Sequence, residues 1–328
     1  IGAISKYFNE QAVTPADFFA IAGGTIEMMY YEVRRGFDRH INNVTQAMQY
    51  IDKAMEGVDV KDVRSWSEKH GKPVTFKLGS GQEIDMLPSQ VMSLYAMMKR
   101  KQAQGHVLGS GIVIAPLEAA DEKAFGKQLL QAKHVMLTYQ DVQMILKSMT
   151  DEQIKLTNRL LHFITTTTSE WGNETSMKLY GYRKFTEDNY FPIKSADVFL
   201  DSQHDKKNMI IKIKNLGFTK NTIINANNPI VVDDFFNVIT DHITKMSMYN
   251  ALVPAITDFE RVYNYKQRDG SVQTNSVQNM IVMSMGSKGK NYIDQLLNDI
   301  NGSSRREFGN TLPEKALSGF KKAALGLN

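Results

Sequence analysis

The chain has 328 residues and a nearly balanced charge, with 39 Lys and Arg against 35 Asp and Glu and a formal net charge of +4. An apolar fraction of 42% is typical of globular proteins, and the small net charge excludes a strong field for nucleic acid or membranes. The absence of Cys excludes disulfides, thiolate zinc sites and cysteine nucleophiles. No apolar run approaches the roughly 18 residues of a membrane span, and the first residues lack a signal-peptide pattern.

A long helix is predicted near the N-terminus. Thr14 can cap it, and apolar residues then recur at helical spacing from Phe18 to Met55, where Gly57 ends the pattern. Because glycine weakens a helix interior, we expect Gly36 to mark a bend or a close crossing with another helix.

A β-hairpin follows the first helices. Two short alternating runs between Val74 and Met86 meet at Gly79-Ser80-Gly81, and this pattern predicts two antiparallel strands joined by a turn. Pro88 suits the first turn of a helix over residues 89–104. Residues 107–114 are interpreted either as a third short strand or as an irregular turn.

Two capping boxes begin helices in the middle of the chain. Thr138 precedes Asp141 by three residues, and Thr150 precedes Gln153 in the same way. The β-branched run Thr165–Thr168 fits a helix poorly, so either tertiary packing maintains the helix there or the helix is distorted.

The second half of the chain begins with an irregular span over residues 185–228, in which residues 209–213 form an isolated strand-like run. Asp233 and Asp234 are then predicted to cap a long helix that Pro254 kinks. The other helices predicted from apolar spacing are 62–70, 119–132, 174–182, 276–285, 291–300 and 313–325.

The sequence therefore predicts a mainly α fold, a multi-helix assembly with a long N-terminal helix and a small β-hairpin near residues 74–86. We divide it into a helical region with the hairpin, residues 1–185, and an irregular segment followed by helices, residues 186–328. The two regions are also consistent with one continuous module cut from a larger chain, because the first and last residues resemble positions inside a longer polypeptide.

No catalytic or metal-binding pattern in the sequence fits its required context. The seven His residues show no His-Glu-x-x-His or His-x-His spacing, which argues against a metal site. The glycines from Gly105 to Gly111 lead into an apolar run and not into a helix with Lys and Ser or Thr, so they are a poor phosphate loop. Gly-x-Ser-x-Gly is absent. We therefore predict no catalytic residue, cofactor or metal, and we expect that the chain is not an enzyme.

Basic residues next to aromatic residues suggest contact with nucleic acid. The candidates are Arg183, Lys184, Lys206 and Lys207, with several Tyr and Phe residues close to the first pair. Such a combination can bind single strands by stacking and phosphate contacts. The alternative is an ordinary solvated helix face. Because the chain carries little net charge, only weak binding without sequence preference is expected.

Two segments of the chain resemble the large polyvalent proteins of tailed bacteriophages and prophages, over roughly residues 74–116 and 186–328. The elements of the first segment are, in order, the hairpin, Pro88-x-Gln90, Met92-Ser-Leu-Tyr95, Lys99-Arg100, Gly105-His106 and Gly109-x-Gly111. The second segment carries Tyr190-Phe-Pro192, Pro229-Ile230, Asp234 and His242 in a helix.

This resemblance implies a non-catalytic structural or interaction module of a phage polyvalent or internal virion protein, packaged or injected with the genome. Its partners would be other virion proteins or other domains of the same polypeptide, in the virion or in the host bacterial cytoplasm after injection. Tyr190, Phe191 and His106 are the candidate interaction surface. The alternative is a phage-encoded enzyme or nucleic-acid-binding domain that acts on nucleic acid or nucleotide.

Overall fold

The computed structural model of the protein describes residues 24–67, 71–116, 128–129, 131–132, 134–193, 229–265 and 277–302. Helices contain 70% of these residues, which confirms the predicted mainly α fold with a long N-terminal helix and a small hairpin. None of the helices in these ranges is long and apolar enough to cross a membrane. The predicted elements over residues 209–213 and 313–325 lie outside them, as do the first part of the N-terminal helix and most of residues 119–132.

The helices of the described ranges are α1 (Gly24–Ala54), α2 (Val60–Trp66), α3 (Pro88–Met98), α4 (Lys101–Ser110), α5 (Tyr139–Leu146), α6 (Asp151–Phe163), α7 (Ser169–Tyr180), α8 (Phe235–Tyr263) and α9 (Val277–Gly302). The strands are β1 (Val74–Lys77), β2 (Glu83–Met86), β3 (Ile112–Ile114), β4 (His134–Val135) and β5 (Ile230–Val232). Side chains from both predicted regions, 1–185 and 186–328, contribute to one large hydrophobic core.

The long helices α1 and α8 cross at Gly36, which confirms the second of the two alternatives for this residue, a close crossing. A Cβ atom at this position would lie 2.6 Å from the Ala251 carbonyl oxygen and 3.0 Å from Leu252 Cδ2. Near this crossing, His40 Nδ1 and Ser247 Oγ are 2.7 Å apart, and the Asn43 amide donates to Asn250 Oδ1 over 3.0 Å. The contact between the two helices is thus both tightly packed and hydrogen-bonded.

The hairpin forms as predicted and is attached to helix α5 by Asp141. Strands β1 and β2 pair antiparallel, with Val74 opposite Met86. Asp141 Oδ2 accepts from the backbone N–H of Thr138 over 2.9 Å, which confirms this capping box, and its Oδ1 accepts from the Gly79 N–H in the hairpin turn over 2.7 Å. One carboxyl group therefore satisfies backbone donors of two elements.

A three-stranded sheet in the order β4-β3-β5 was not predicted as a sheet. Strand β3 pairs antiparallel with β4 and parallel with β5. The helix expected over 89–104 is broken at Lys99 and Arg100, and helix α4 continues to Ser110 before β3 starts. Gly111, with φ 75°, makes that turn, and a Cβ atom on it would lie 2.5 Å from the Val135 carbonyl oxygen.

The threonine run is distorted, as the second of its two interpretations predicted. Residues Ile164–Thr168 form a π-helical segment between α6 and α7. Each of three hydroxyls in this run donates to the carbonyl oxygen four residues earlier, as Thr168 does to Ile164 over 2.8 Å. Such back-bonding gives the hydroxyls partners while it weakens the regular helix.

The cap of α8 and the break in α9 are as expected. Asp234 caps α8, and Pro254 lies inside that helix. Helix α9 is interrupted at Gly286, which has φ 75° and ψ 176°, so the predicted division between its two halves is confirmed at this residue. A left-handed φ at this position favours glycine because the residue has no Cβ atom.

Candidate functional site

Exposed apolar side chains cluster at the C-terminal end of helix α7. Met177, Tyr180 and Tyr182 are 48%, 46% and 56% exposed. The helix ends at Gly181 in the left-handed conformation, with φ 80°, which turns the chain and brings Tyr182 next to the last helical turn. We call Met177, Tyr180, Tyr182 and Lys184 the α7 strip.

Lys184 lies against both tyrosine rings of the α7 strip. Its ammonium nitrogen is 3.4 Å from the ring centroid of Tyr180 and 5.6 Å from that of Tyr182. The two ring centroids are 6.3 Å apart, and their planes are inclined at 46°. Because the faces of aromatic rings attract cations, this arrangement fixes the position of the positive charge between two exposed rings.

Arg183, the other predicted nucleic-acid contact in this part of the chain, is paired with a carboxylate. Its two terminal nitrogens are 3.2 and 2.5 Å from the two oxygens of Glu170. Both side chains are about half exposed, at 52% and 51%, so water and salt screen the pair. The charge of Arg183 is thus balanced locally, whereas Lys206 and Lys207 lie outside the described residues.

The backbone that follows α7 and carries Tyr182 and Lys184 is attached to the helix by side-chain hydrogen bonds. The Asn173 amide donates to the Phe185 carbonyl oxygen over 2.8 Å, and the Phe185 N–H donates to Asn173 Oδ1 over 2.9 Å. The Lys184 N–H donates to Ser176 Oγ over 3.3 Å. The Phe185 ring also packs against Gly172, where a Cβ atom would lie 2.6 Å away. These contacts give the strip a rigid base.

The predicted interaction surface of Tyr190, Phe191 and His106 requires a correction. Phe191 is fully buried and its ring is stacked on Phe235 with a centroid distance of 6.0 Å, so it belongs to the core. His106 is only 5% exposed on the inner face of α4. Two of the three side chains are therefore not available on the surface, and Tyr190 is partly exposed.

Tyr190 instead fastens its segment to α8. The Arg100 guanidinium lies over the Tyr190 ring at 5.4 Å and forms an ion pair with Glu187. The ring centroids of Tyr190 and His242 are 5.4 Å apart. Burial raises the pKa of the Tyr190 phenol and lowers the pKa of His242 to about 4, so both groups are neutral at pH 7.

His242 also connects α8 to the π-helical segment, because its Nε2 is 3.1 Å from Thr168 Oγ1. A π-helical segment is often found at functional sites. Here Thr168, the last threonine of the segment, provides a hydrogen-bonding partner for the buried His242. The distorted helix therefore has a structural role. No signal in the sequence indicated that these two residues would meet.

A second set of buried polar side chains, Asp234 and Ser89, lies where helix α3 meets the start of α8. Asp234 Oδ1 accepts from the N–H groups of Phe236 and Asn237 over 2.9 and 3.1 Å. Burial raises the pKa of Asp234 to about 6, although Ser89 lies close enough to lower it in part. The Ser89 hydroxyl approaches this carboxyl without a hydrogen bond of ordinary geometry, and Asp234 Oδ2 has no partner among the described residues.

Two further buried side chains of this region have polar atoms without partners in the ranges that the structure describes. They are Ser93 in α3 and His106 in α4, and these helices pack against each other and against β5. The sequence singled out His106, but it gave no reason to connect Ser89 with Asp234. Within the same ranges, no three His, Asp or Glu side chains lie together as a metal site requires.

Comparisons of the chain with protein families, with curated proteins and with solved structures found no match. The resemblance to phage polyvalent proteins therefore stays a prediction from the residues quoted above. The structure does bring the two resembling segments together. Strand β3 of the first pairs with β5 of the second, and Arg100 of the first contacts Tyr190 of the second.

Proposed function

We propose that this chain is a non-catalytic interaction module of a phage polyvalent or internal virion protein, packaged or injected with the genome. The observation that carries the proposal is the α7 strip, in which exposed aromatic, methionine and lysine side chains lie together on a rigid base. Tyrosine is enriched at binding surfaces because its ring gives a large contact area at low entropic cost, and methionine adapts to irregular partners.

Three pairs of buried polar side chains support the same proposal. His40 bonds Ser247, Asn43 bonds Asn250, and Thr168 bonds His242, so in each case two elements of the fold are joined. Buried polar groups that are fully paired in this way rigidify a scaffold. A rigid scaffold that presents one adaptable surface is suited to binding.

The proposal is tested by locating the protein in phage particles. Virions of the phage or prophage that encodes the chain are purified on a density gradient, and an antibody against the chain is applied to each fraction. We expect the protein to band with the virions. As a matched pair, Tyr180→Ala should reduce incorporation several-fold, and Tyr139→Ala, at another exposed tyrosine, in α5, should leave it unchanged.

A protein that stays in the host lysate and never bands with the particles would contradict the packaging proposal. Equal incorporation of both variants would contradict the role of the α7 strip. Each variant is first compared with the wild type by circular dichroism and thermal unfolding, so that loss of the fold is recognised separately.

A second candidate function is a phage-encoded enzyme that acts on nucleic acid or nucleotide, and Asp234 is the observation that favours it. A carboxyl group with a pKa of about 6 can carry a proton near neutral pH, which general acid catalysis requires. Ser89 lies next to it in the same buried region.

Asp234→Asn tests this candidate because asparagine caps helices as well as aspartate does but cannot titrate. The wild type and the variant are incubated with single-stranded DNA, RNA and nucleoside triphosphates, and the products are separated by chromatography. Turnover by the wild type that the variant lacks would establish the enzyme. If neither protein forms product, the candidate is rejected for these substrates.

A further inference from the structure

The α7 strip places one fixed positive charge beside two exposed rings. The ammonium of Lys184 is in contact with the Tyr180 ring, and Tyr180 and Tyr182 are each about half exposed as residues. An ammonium has three N–H donors, and contact with one ring leaves donors for an anion. The strip therefore combines aromatic faces for planar groups with a donor for a negatively charged group.

We propose that the α7 strip binds single-stranded nucleic acid, with bases stacked on the exposed faces of Tyr180 and Tyr182 and a phosphate at Lys184. This inference rests on the proposed function, since it names the partner of the same surface. Base stacking on aromatic side chains together with a basic group is the general chemistry of strand binding without sequence preference.

The ring geometry favours two separate bases over one clamped base. Two rings whose planes are inclined at 46° cannot both lie parallel to a base between them. Each ring consequently takes its own base, which requires a strand with unpaired, separable bases. A duplex keeps its bases stacked within the helix and offers the strip only phosphates.

Glu170 limits the strength of this contact. It pairs with both terminal nitrogens of Arg183, next in sequence to Lys184, and so removes a second cation from the strip. Only one phosphate contact, at Lys184, is then expected among the described residues. For single strands this corresponds to a slope of about −0.7 for log affinity against log salt, or about threefold weaker binding at 200 than at 50 mM salt.

The experiment measures the affinity of labelled oligothymidine for the full chain by fluorescence anisotropy, at about 50, 100 and 200 mM salt. Tyr180→Ala should weaken binding about tenfold at the lowest salt and leave the salt slope unchanged, because it removes stacking and no charge. Lys184→Gln should make the slope shallower by about 0.7.

Glu170→Gln is the most specific variant, since it frees Arg183 without touching the strip. We expect tighter binding at low salt and a slope steeper by about 0.7, the value for one more phosphate. Tyr139→Ala is the matched control, because Tyr139 is 61% exposed on α5 and the rings that contact Lys184 are those of Tyr180 and Tyr182. Its affinity and slope should equal those of the wild type.

The proposal is overturned if the wild type does not bind at the lowest salt, or if Tyr180→Ala and Tyr139→Ala bind alike. If Tyr180→Ala loses incorporation into virions while it keeps its affinity for the oligonucleotide, the partner of the strip is a protein and the inference fails. In that case the proposed interaction module stands. Absence from virions combined with the expected binding would instead reject packaging and leave the nucleic-acid site in place.

Discussion

Replacing Gly36 by alanine is expected to reduce the free energy of unfolding by about 2 kcal/mol, because it inserts a methyl group into the crossing of α1 and α8. The new Cβ atom would lie 2.6 Å from the Ala251 carbonyl oxygen. A backbone oxygen within a helix cannot rotate away as a side chain does, so the two helices must separate. This cost exceeds the roughly 1 kcal/mol that alanine gains over glycine in a helix. Urea denaturation followed by circular dichroism measures the difference.

Gly109→Ala is the matched control for this prediction. Gly109 also lies in a helix, α4, but a Cβ atom there would have no atom within 4 Å. The same chemical change should therefore raise the free energy of unfolding by about 1 kcal/mol through helix propensity alone. Similar values for the two variants would show that the crossing at Gly36 is looser than the structure indicates.

Replacing Asp141 by alanine is expected to cost about 3 kcal/mol, because this carboxyl connects helix α5 to the hairpin turn. The variant loses the bonds that the carboxyl accepts from the Thr138 N–H and hydroxyl, its half of the capping box, worth about 1 kcal/mol, and a charge-assisted bond from the Gly79 N–H, worth about 2 kcal/mol. Asp141 is only 5% exposed, so the donors that it leaves behind have little access to water. The denaturation midpoint of the variant measures the loss.

The contribution of Asp141 should also depend on pH. Hydrogen bonds from Thr138, then from the Gly79 N–H, lower the pKa of Asp141. A carboxyl whose pKa is lower in the folded state stabilises the protein fully above its unfolded pKa of about 3.9 and loses this effect as the pH falls through the folded value. The difference between wild type and Asp141→Asn should be constant above about pH 5 and shrink below pH 4.

Gln153→Ala provides a reference for this pH dependence. Gln153 takes the place of Asp141 in the second capping box, where its side-chain oxygen accepts from the Thr150 N–H over 3.0 Å. Because an amide does not titrate, the destabilisation by this substitution should keep the same size across the acid range. A constant difference for Asp141→Asn down to about pH 2 would contradict the assigned role of the carboxylate.

Several elements were predictable because their signals lie within a few residues. The turn at Gly79–Gly81, the capping boxes at Thr138 and Thr150 and the break at Gly286 are all present in the structure. In each case a residue type satisfies nearby backbone groups or allows a local dihedral angle. Gly36 was recognisable for a related reason, since glycine inside a helix suggests that another chain segment approaches closely.

The candidate site was predictable only in part. The sequence located basic and aromatic residues near Arg183 and Lys184, and the α7 strip is there. It could not reveal that Glu170 neutralises Arg183, because opposite charges 13 residues apart meet only if the chain turns back after α7. It also placed Phe191 on the surface, although stacking on Phe235 buries that ring completely.

The sequence by itself determined the helical class, the hairpin and the helix caps, since these depend on periodicity and on hydrogen bonds between near neighbours. Only the tertiary structure decided the pairing of β3 with β5. Each of these strands has three residues, too few to show a period, and the residues that pair, such as Ile112 and Ile230, are far apart in the sequence. The tertiary structure also decided which polar residues are buried, because burial depends on where distant elements meet. The same long-range contacts set the charge and the exposure of the α7 strip.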